Sequence, residues 1–490
     1  MLLLIYSSLM SLAALALLPL LPLILLVPAL RQGLGMRLGI LPREVRHQAW
    51  LSEGSLWVHA ASLGEVNAIA PVVRQLLPKL PRQALVITCT SVAGREQAQR
   101  LFPQASACLL MPLDLPWLLG PWMRRFKPRL LLVAETELWP NLLHQAKLHG
   151  AQVLVANGRL TERSLKRYRL LGRAFAAVLE QVDLFAMQAQ ADADRLAVLG
   201  ARRARLVVTG NTKFDLAGDV GSAKQAAGAL RHSLGWKAGT PVLVAGSTRP
   251  GEEPLLLEAF RALRKELPQA RLVLAPRHLE RCDEVDALLQ KGRWKRARRS
   301  QGGGAGDADV LLLDTLGELR GFYALACEAG AAWVGGSFRD FGGQNPLEPA
   351  ALGVPVFFGL SMRHFPEVAQ ALLDSGAAEQ VEAGALASAT VSVLAQSKER
   401  RRRGEAAEAC VAQRAGASQR NAELGLRLLL VARMRREGQA WREEGLDSFR
   451  RITEFGSASE TPEWHADAPV QYLSGKEFGL GLEKDPDGLG

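Results

Sequence analysis

Five short stretches hold the residues able to do chemistry. HAASLGEV (59–66) sets Ser62 three residues before Glu65. That is capping-box spacing, and it also leaves a carboxylate at a strand-to-helix turn, available as a general base. The spacing supports both readings equally. A carboxylate at a helix N-terminus is expected to stay ionised, with a lowered pKa. AETELWP (134–140) carries Glu135 and Glu137 two residues apart at a strand end, on one face, where each raises the other's pKa. Alternatively, one of them caps a helix opening at Pro140. STRPGEE (247–253) and PRH (276–278) offer Ser247, Thr248, Arg249, Arg277 and His278 to an anionic ligand, or to surface ion pairing. WVGGSFRDFGGQNPLEPAALGVPVFFG (333–359) reads as strand, glycine loop, short helix, turn, strand. Its glycine pairs, Gly335–Gly336 and Gly342–Gly343, let a ligand approach the backbone. Asn345 is expected to N-cap the helix, with Pro346 at its first position and Glu348 in its first turn. The free N–H groups and positive dipole end would then suit a phosphate. In the plainer reading Glu348 only completes a capping box.

No metal site is expected. Asp192-Ala-Asp194 and Asp307-Ala-Asp309 lack supporting His or Cys, so charge on a leaving group falls to Arg, Lys and helix dipoles. The five cysteines are scattered without a CxxC, as in buried thiols of a reducing compartment. A net charge of +11 points to an anionic partner. No recognised nucleic-acid motif accompanies it, which favours a membrane surface or phosphorylated lipid. Arg163, Lys166, Arg167, Arg169 and Arg173 are expected on one long helix, 163–179, beside the cleft. GRWKRARRS (292–300) reads as a solvated face. Pro116–Met123, followed by Arg124, Arg125 and Lys127, reads either as an amphipathic membrane-resting helix or as a core-facing one.

These loops need strands to carry them. From Leu56 the chain alternates apolar strand runs with amphipathic helices: LWVHAAS, ALVITCT, LLLVAETE and AQVLVANGR, then PVLVAGST and RLVLAPRH. This alternation predicts two Rossmann-like, doubly wound parallel sheets facing a cleft, the GT-B glycosyltransferase architecture. The expected domains are 47–217 for the acceptor and 222–430 for the donor, with a poorly ordered tail over 437–490. Residues 1–30 carry no charge before Arg31 and are read as a transmembrane anchor. Arg31, Arg37, Arg43 and Arg46 place the rest on the cytoplasmic side of the inner membrane.

Taken together, HAASLGE, PLDLPW (112–117), ETELWPNL (135–142), NGRLTERS (157–164), TGNTKFD (209–215), PRHLER (276–281), DTLGEL (314–319) and GGQNPLEPAA (342–351) resemble the 3-deoxy-D-manno-octulosonic acid (Kdo) transferases of lipopolysaccharide synthesis. The resemblance runs from residue 1 to about 430. It implies an inverting, metal-independent, cofactor-free GT-B enzyme that takes Kdo from CMP-Kdo and places it on the 6′-hydroxyl of a tetraacylated lipid A precursor. It implies that Glu65 is the catalytic base, with Glu135 and Glu137 in a second acidic motif and Lys213 near the reacting centre. Donor binding is implied for Ser247, Thr248, Arg277, His278, Gly317, Gly342, Gly343, Asn345 and Glu348, the last on the ribose. Acceptor binding is implied for Ser62, Gly64, Arg159, Arg163 and Lys166. Two departures stand out: Gln344 where a histidine is expected, and Arg249-Pro250 where histidine and an acid are common. A UDP-sugar transferase or a non-catalytic lipid-binding protein on the same fold are the rival classes.

Overall fold

The computed structural model describes residues 2–17, 19, 31–47, 54–80, 85–217, 220–302 and 305–436. Two seven-stranded sheets dominate, each wholly parallel. The first comprises β1 (Ser55–His59), β2 (Leu85–Cys89), β3 (Ala107–Leu110), β4 (Pro128–Ala134), β5 (Gln152–Gly158), β6 (Leu184–Met187) and β7 (Leu206–Val208). Their order is 3-2-1-4-5-6-7. The second comprises β8 (Val242–Thr248), β9 (Arg271–Pro276), β10 (Arg296–Arg298), β11 (Val310–Leu312), β12 (Gly330–Val334), β13 (Val356–Phe358) and β14 (Ala378–Gln380), in the order 10-11-9-8-12-13-14. The central strands are continuous apolar runs because helices cover both faces. Trp57, Leu131 and Val133 enter one core of the first sheet, while Leu56, Val58 and Leu132 enter the other.

Strand order locates the cleft. In each sheet the order reverses between two central neighbours: β1 and β4 in the first, β8 and β12 in the second. Ligands of open α/β sheets bind outside the carboxyl ends of the strands at such switch points. HAASLGE leaves β1, ETELWP leaves β4, STRPGEE leaves β8 and the glycine-rich loop leaves β12. Four of the five stretches therefore sit at the two switch points, and PRH leaves the neighbouring strand β9.

The last described helix, Ala417–Arg436, departs from the expected boundary. Its sequence falls in the 222–430 half, yet Ala422, Leu424 and Leu428 pack into the first domain's core. Asn421 fixes the return: its Oδ1 accepts from the Asn157 N–H at 3.1 Å, and its Nδ2 donates to Thr209 Oγ1 at 2.9 Å. Asp215 accepts from the N–H groups of Gly416 and Ser418 at the crossing point. Residues 437–490 lie outside the described part.

The expectation of a membrane-crossing helix over residues 1–30 is not met among the described residues. The apolar helix is described over Leu2–Leu17, 16 residues. At 1.5 Å per residue it is about 24 Å long, short of a ~30 Å hydrocarbon core. Among the described residues no helix is long and apolar enough to cross a membrane. Residues 18 and 20–30 lie outside them. The helix is docked on the first domain: Tyr6 Oη donates to Asp114 Oδ2 at 3.0 Å and Ser7 Oγ to Asn141 Oδ1 at 2.7 Å.

Asp114 also settles what caps the helix at Pro140. Its carboxylate accepts from the N–H groups of Asn141 and Leu142 at 3.0 and 2.8 Å. Neither Glu135 nor Glu137 caps that helix. Replacing Asp114 with alanine orphans two buried N–H groups and frees Tyr6, so stability should fall by about 1–3 kcal/mol. A urea denaturation midpoint equal to the parent's would rule out this bracing role.

One further expectation is corrected, and two other stretches take definite form. The basic segment is two helices, Glu162–Arg169 and Arg173–Leu179, because the chain turns at Gly172 with φ 48°. Pro116–Phe126 is a core helix: Leu119, Trp122, Met123 and Phe126 are buried, and Trp117 is 57% exposed. GRWKRARRS contributes edge strand β10, and three of its arginines are paired, Arg296 with Asp286, Arg298 with Asp283 and Asp314, and Arg299 with Glu318.

Candidate active site

The capping box of the first loop forms. Ser62 is the N-cap of the helix Leu63–Leu76, and its Oγ accepts from the Glu65 N–H at 3.3 Å. The Glu65 carboxylate accepts from the Ala61 N–H at 2.8 Å and from Ser62 Oγ–H at 2.9 Å. The expected lowering of its pKa is reversed. Burial pushes the Glu65 carboxyl up to about 7, and the charges of Glu135 and Glu137 add to that, against the two hydrogen bonds. Desolvation outweighs the helix end because the carboxylate is half-buried. The cap and the base are thus the same side chain, poised near neutral pH. Gly64 is exposed, and a Cβ there would meet Ser62 Oγ at 3.8 Å, an ordinary contact.

Glu135 and Glu137 do not share a strand face, since β4 ends at Ala134. They occupy the turn beyond it. Glu135 has φ 54°, a left-handed conformation that costs a non-glycine residue about 1–2 kcal/mol. Its N–H donates to Ala156 O at 2.9 Å, tying the turn to β5. Burial raises the carboxyls of both glutamates. Lys213 and Arg159 oppose this at Glu135, and a 3.1 Å hydrogen bond from Trp139 Nε1 opposes it at Glu137. Lys213 is held by neighbours already met: its N–H donates to Asn211 Oδ1 at 2.9 Å, and the Thr212 N–H donates to Asn157 Oδ1 at 3.0 Å. The NGR and TGNTKFD stretches thus meet beside Glu135.

Two contacts bridge the cleft. Arg159 pairs with Glu367 at 2.5 Å. Lys213 Nζ donates to His364 O at 3.4 Å and lies 5.7 Å from the Phe365 ring centroid. Glu367, His364 and Phe365 were not among the expected residues. They follow a proline-punctuated segment whose only signal was charge. Arg163 and Lys166 lie exposed on the Glu162–Arg169 helix.

On the second domain the residues expected to bind donor divide. Thr248 is fully buried and its Oγ–H donates to Glu253 Oε1 at 2.8 Å, so its side chain is structural. Glu253 in turn is paired with Arg281 at 2.7 Å. Ser247 is half-buried with φ 56°. Arg277 and His278 are exposed, and Arg249 Nη1 lies 2.7 Å from His278 Nε2, which must accept there. Gly317 has φ 85° and open space around it. Gly342 has φ 82°, and a Cβ there would stand 2.6 Å from the His364 ring, so only glycine fits between turn and imidazole.

The helix after the glycine loop is shorter than expected. It spans Leu347–Ala351, five residues, with Pro346 rather than Asn345 at the N-cap position. So short a helix has little dipole, and the phosphate argument from its N-terminus loses weight. Asn345 still holds the turn: its Oδ1 accepts from the Leu347 N–H at 3.0 Å, and its Nδ2 donates to Glu348 Oε1 at 3.4 Å. Burial raises the Glu348 carboxyl, while Asn345, Arg320 and Arg277 pull it down. Among the described residues no group of three or more His, Cys, Asp or Glu could hold a metal ion.

Residues 32–216 match a family model described as 3-deoxy-D-manno-octulosonic-acid transferase (kdotransferase). The chain is 35% identical to a 3-deoxy-D-manno-octulosonic acid transferase of Haemophilus influenzae, over 75% of this chain and 86% of the relative. It is 37% identical to that of Bordetella pertussis, over 74% of this chain and 85% of the relative. In fold it is similar to the UDP-GlcNAc 2-epimerase of Neisseria meningitidis, at 14% identity and a TM-score of 0.50, covering 77% of this chain and 99% of that one. That likeness concerns architecture alone: two parallel α/β domains of GT-B type. The sequence kinship covers about three quarters of the chain, and on it the chain belongs to the Kdo transferase family of glycosyltransferases.

Proposed function

We propose that this chain moves Kdo from CMP-Kdo to a hydroxyl of a tetraacylated lipid A precursor, with inversion and without a metal, at the cytoplasmic face of the inner membrane. The observation that carries this reading is a half-buried carboxylate cluster, Glu65, Glu135 and Glu137, beside a cleft that Arg159 and Lys213 bridge to the second domain. Glu65 accepts the acceptor hydroxyl's proton as the oxygen attacks the anomeric carbon. CMP departs as a phosphate monoester dianion, and Lys213, Arg277 and the Arg249–His278 pair supply positive charge and hydrogen-bond donors on that side. Glu135, strained and set against Lys213, holds that ammonium group toward the reacting centre.

Membrane association is supported by the docked helix Leu2–Leu17, which exposes Ile5, Leu9, Leu12 and Leu15, and by Leu113 and Trp117 beside Asp114. One experiment tests donor, acceptor and anchorage together. The full chain and a chain lacking residues 1–30 are incubated with CMP-Kdo and detergent-dispersed lipid A precursor, and products are resolved by mass. Both should add Kdo, and only the full chain should float with anionic vesicles. Turnover with UDP-sugars and none with CMP-Kdo would overturn the donor assignment. Equal flotation of both chains would overturn the role given to the N-terminal helix.

A further inference from the structure

We infer that Glu252 is an internal anion that fills the backbone nest of the first glycine turn, so that the N–H groups of that nest are closed to the donor's phosphate, which other groups of the donor loops must meet. The inference rests on the donor-side reading above. Consecutive N–H groups converging from a turn form a concavity that ordinarily captures an anion. Here Gly336, Ser337 and Phe338 form one, and Gly335–Gly336 is where the sequence suggested a ligand would approach. The concavity is already occupied. Glu252 Oε2 accepts from the N–H groups of Gly336 at 2.7 Å and Arg249 at 2.8 Å. Its Oε1 accepts from the N–H groups of Ser337 at 3.0 Å and Phe338 at 3.1 Å. The residue is 0% exposed.

One carboxylate therefore joins the loop after β8 to the loop after β12, across the switch point itself. The consequences reach the second turn through the backbone. The Gly343 N–H donates to Gly336 O at 2.9 Å, and the Gln344 N–H to Gly335 O at 3.1 Å. Ser337 continues the chain of contacts, since its O accepts from the Ser361 N–H at 2.9 Å and Ser361 Oγ accepts from the Gly342 N–H at 3.2 Å. The turn that holds Asn345 and the segment that holds His364 are thus both hung on the nest that Glu252 fills. Glu252 is a positioning residue: it touches no ligand and sets the shape of the loops that do.

Hydrogen exchange on the parent enzyme tests this first, with CMP as the probe. The amides of Gly336, Ser337 and Phe338 should exchange slowly without ligand and no more slowly with saturating CMP, whereas amides elsewhere in the donor loops, that of Asn345 among them, should slow when CMP binds. Fast exchange at 336–338 that CMP then suppresses would mean that the nest is itself the phosphate site, and would overturn the inference. Glu252→Gln supplies the second test. Its amide group would face two N–H donors, so the KM for CMP-Kdo should rise about tenfold with the acceptor KM unchanged, and Glu252→Asp should recover part of the loss. A lower Tm with an unaltered donor KM would reduce Glu252 to a fold-stabilising role. If Glu252→Gln does not fold, the exchange result on the parent still decides. Failure of CMP to bind the parent would count against the donor assignment, and slow exchange at 336–338 would be read independently of it.

Discussion

Glu65→Gln is expected to lower turnover by roughly 10²–10⁴-fold, with donor KM within a few-fold of the parent. Gln keeps the shape of the side chain but cannot take a proton. The carboxyl of Glu65 sits at about 7 because burial disfavours its charge, with Glu135 and Glu137 adding to the effect. A base of that pKa is half ionised at neutral pH, so kcat/KM of the parent should rise with pH through a limb near 7. The limb should be absent in the variant. The capping role makes a different prediction. A Gln carbonyl can accept from only one of the Ala61 N–H and the Ser62 O–H, so loss of the other bond should cost about 0.5–1.5 kcal/mol. Linkage sets the pH dependence of that cost. With the folded pKa raised above the unfolded one, the stability Glu65 contributes is present at low pH and lost as pH rises through about 7. The parent's Tm advantage over the variant should therefore shrink between pH 5 and pH 8. A variant turning over within a few-fold of the parent would remove Glu65 from the mechanism and move suspicion to Glu135 or Glu137.

How legible this site was depends on how far each contact reaches along the chain. The runs at 56–59, 130–134, 242–248 and 330–334 read as buried strands because only apolar side chains fit between two helical layers. The loops leaving them could then be placed at carboxyl ends. The Ser62–Glu65 box was legible because it spans one helical turn. Contacts between distant residues were not. Asn421 bonds to Asn157, 264 positions earlier, and nothing in either neighbourhood announces the other. Asp114 caps a helix 27 positions on, a role that spacing assigned to the nearer Glu135 or Glu137. Glu252 stood in STRPGEE with no role assigned to it, and only its depth under the glycine turn shows it to be a buried anion. The rise in the Glu65 pKa was misjudged for the same reason, since the helix end is local and visible whereas desolvation comes from the packing of the whole domain. The break at Gly172 had a local signal in the glycine itself, which the basic periodicity on either side obscured.

The second large effect is expected at Glu348, where alanine should weaken donor binding without weakening the fold. The turn into Leu347–Ala351 is held by Asn345 Oδ1 on the Leu347 N–H, so the cap survives the loss of Glu348. The carboxylate itself accepts a long 3.4 Å bond from Asn345 Nδ2, which leaves acceptor capacity for the hydroxyls of a bound nucleotide. It lies where Arg277 and Arg320 both favour its charged form against burial. A charge-assisted hydrogen bond lost on substitution should cost about 1.5–3 kcal/mol. That corresponds to roughly 10–150-fold in affinity. Titration calorimetry with CMP and the donor KM should both shift by that factor, and kcat at saturating donor should change less. Glu348→Gln retains one acceptor oxygen and should fall between parent and alanine. Tm should stay near the parent's, because alanine removes a buried carboxylate along with its one weak bond. If Tm instead drops while CMP affinity holds, Glu348 serves the turn and not the ligand, and the nucleotide's hydroxyls must be sought by another group of the donor loops.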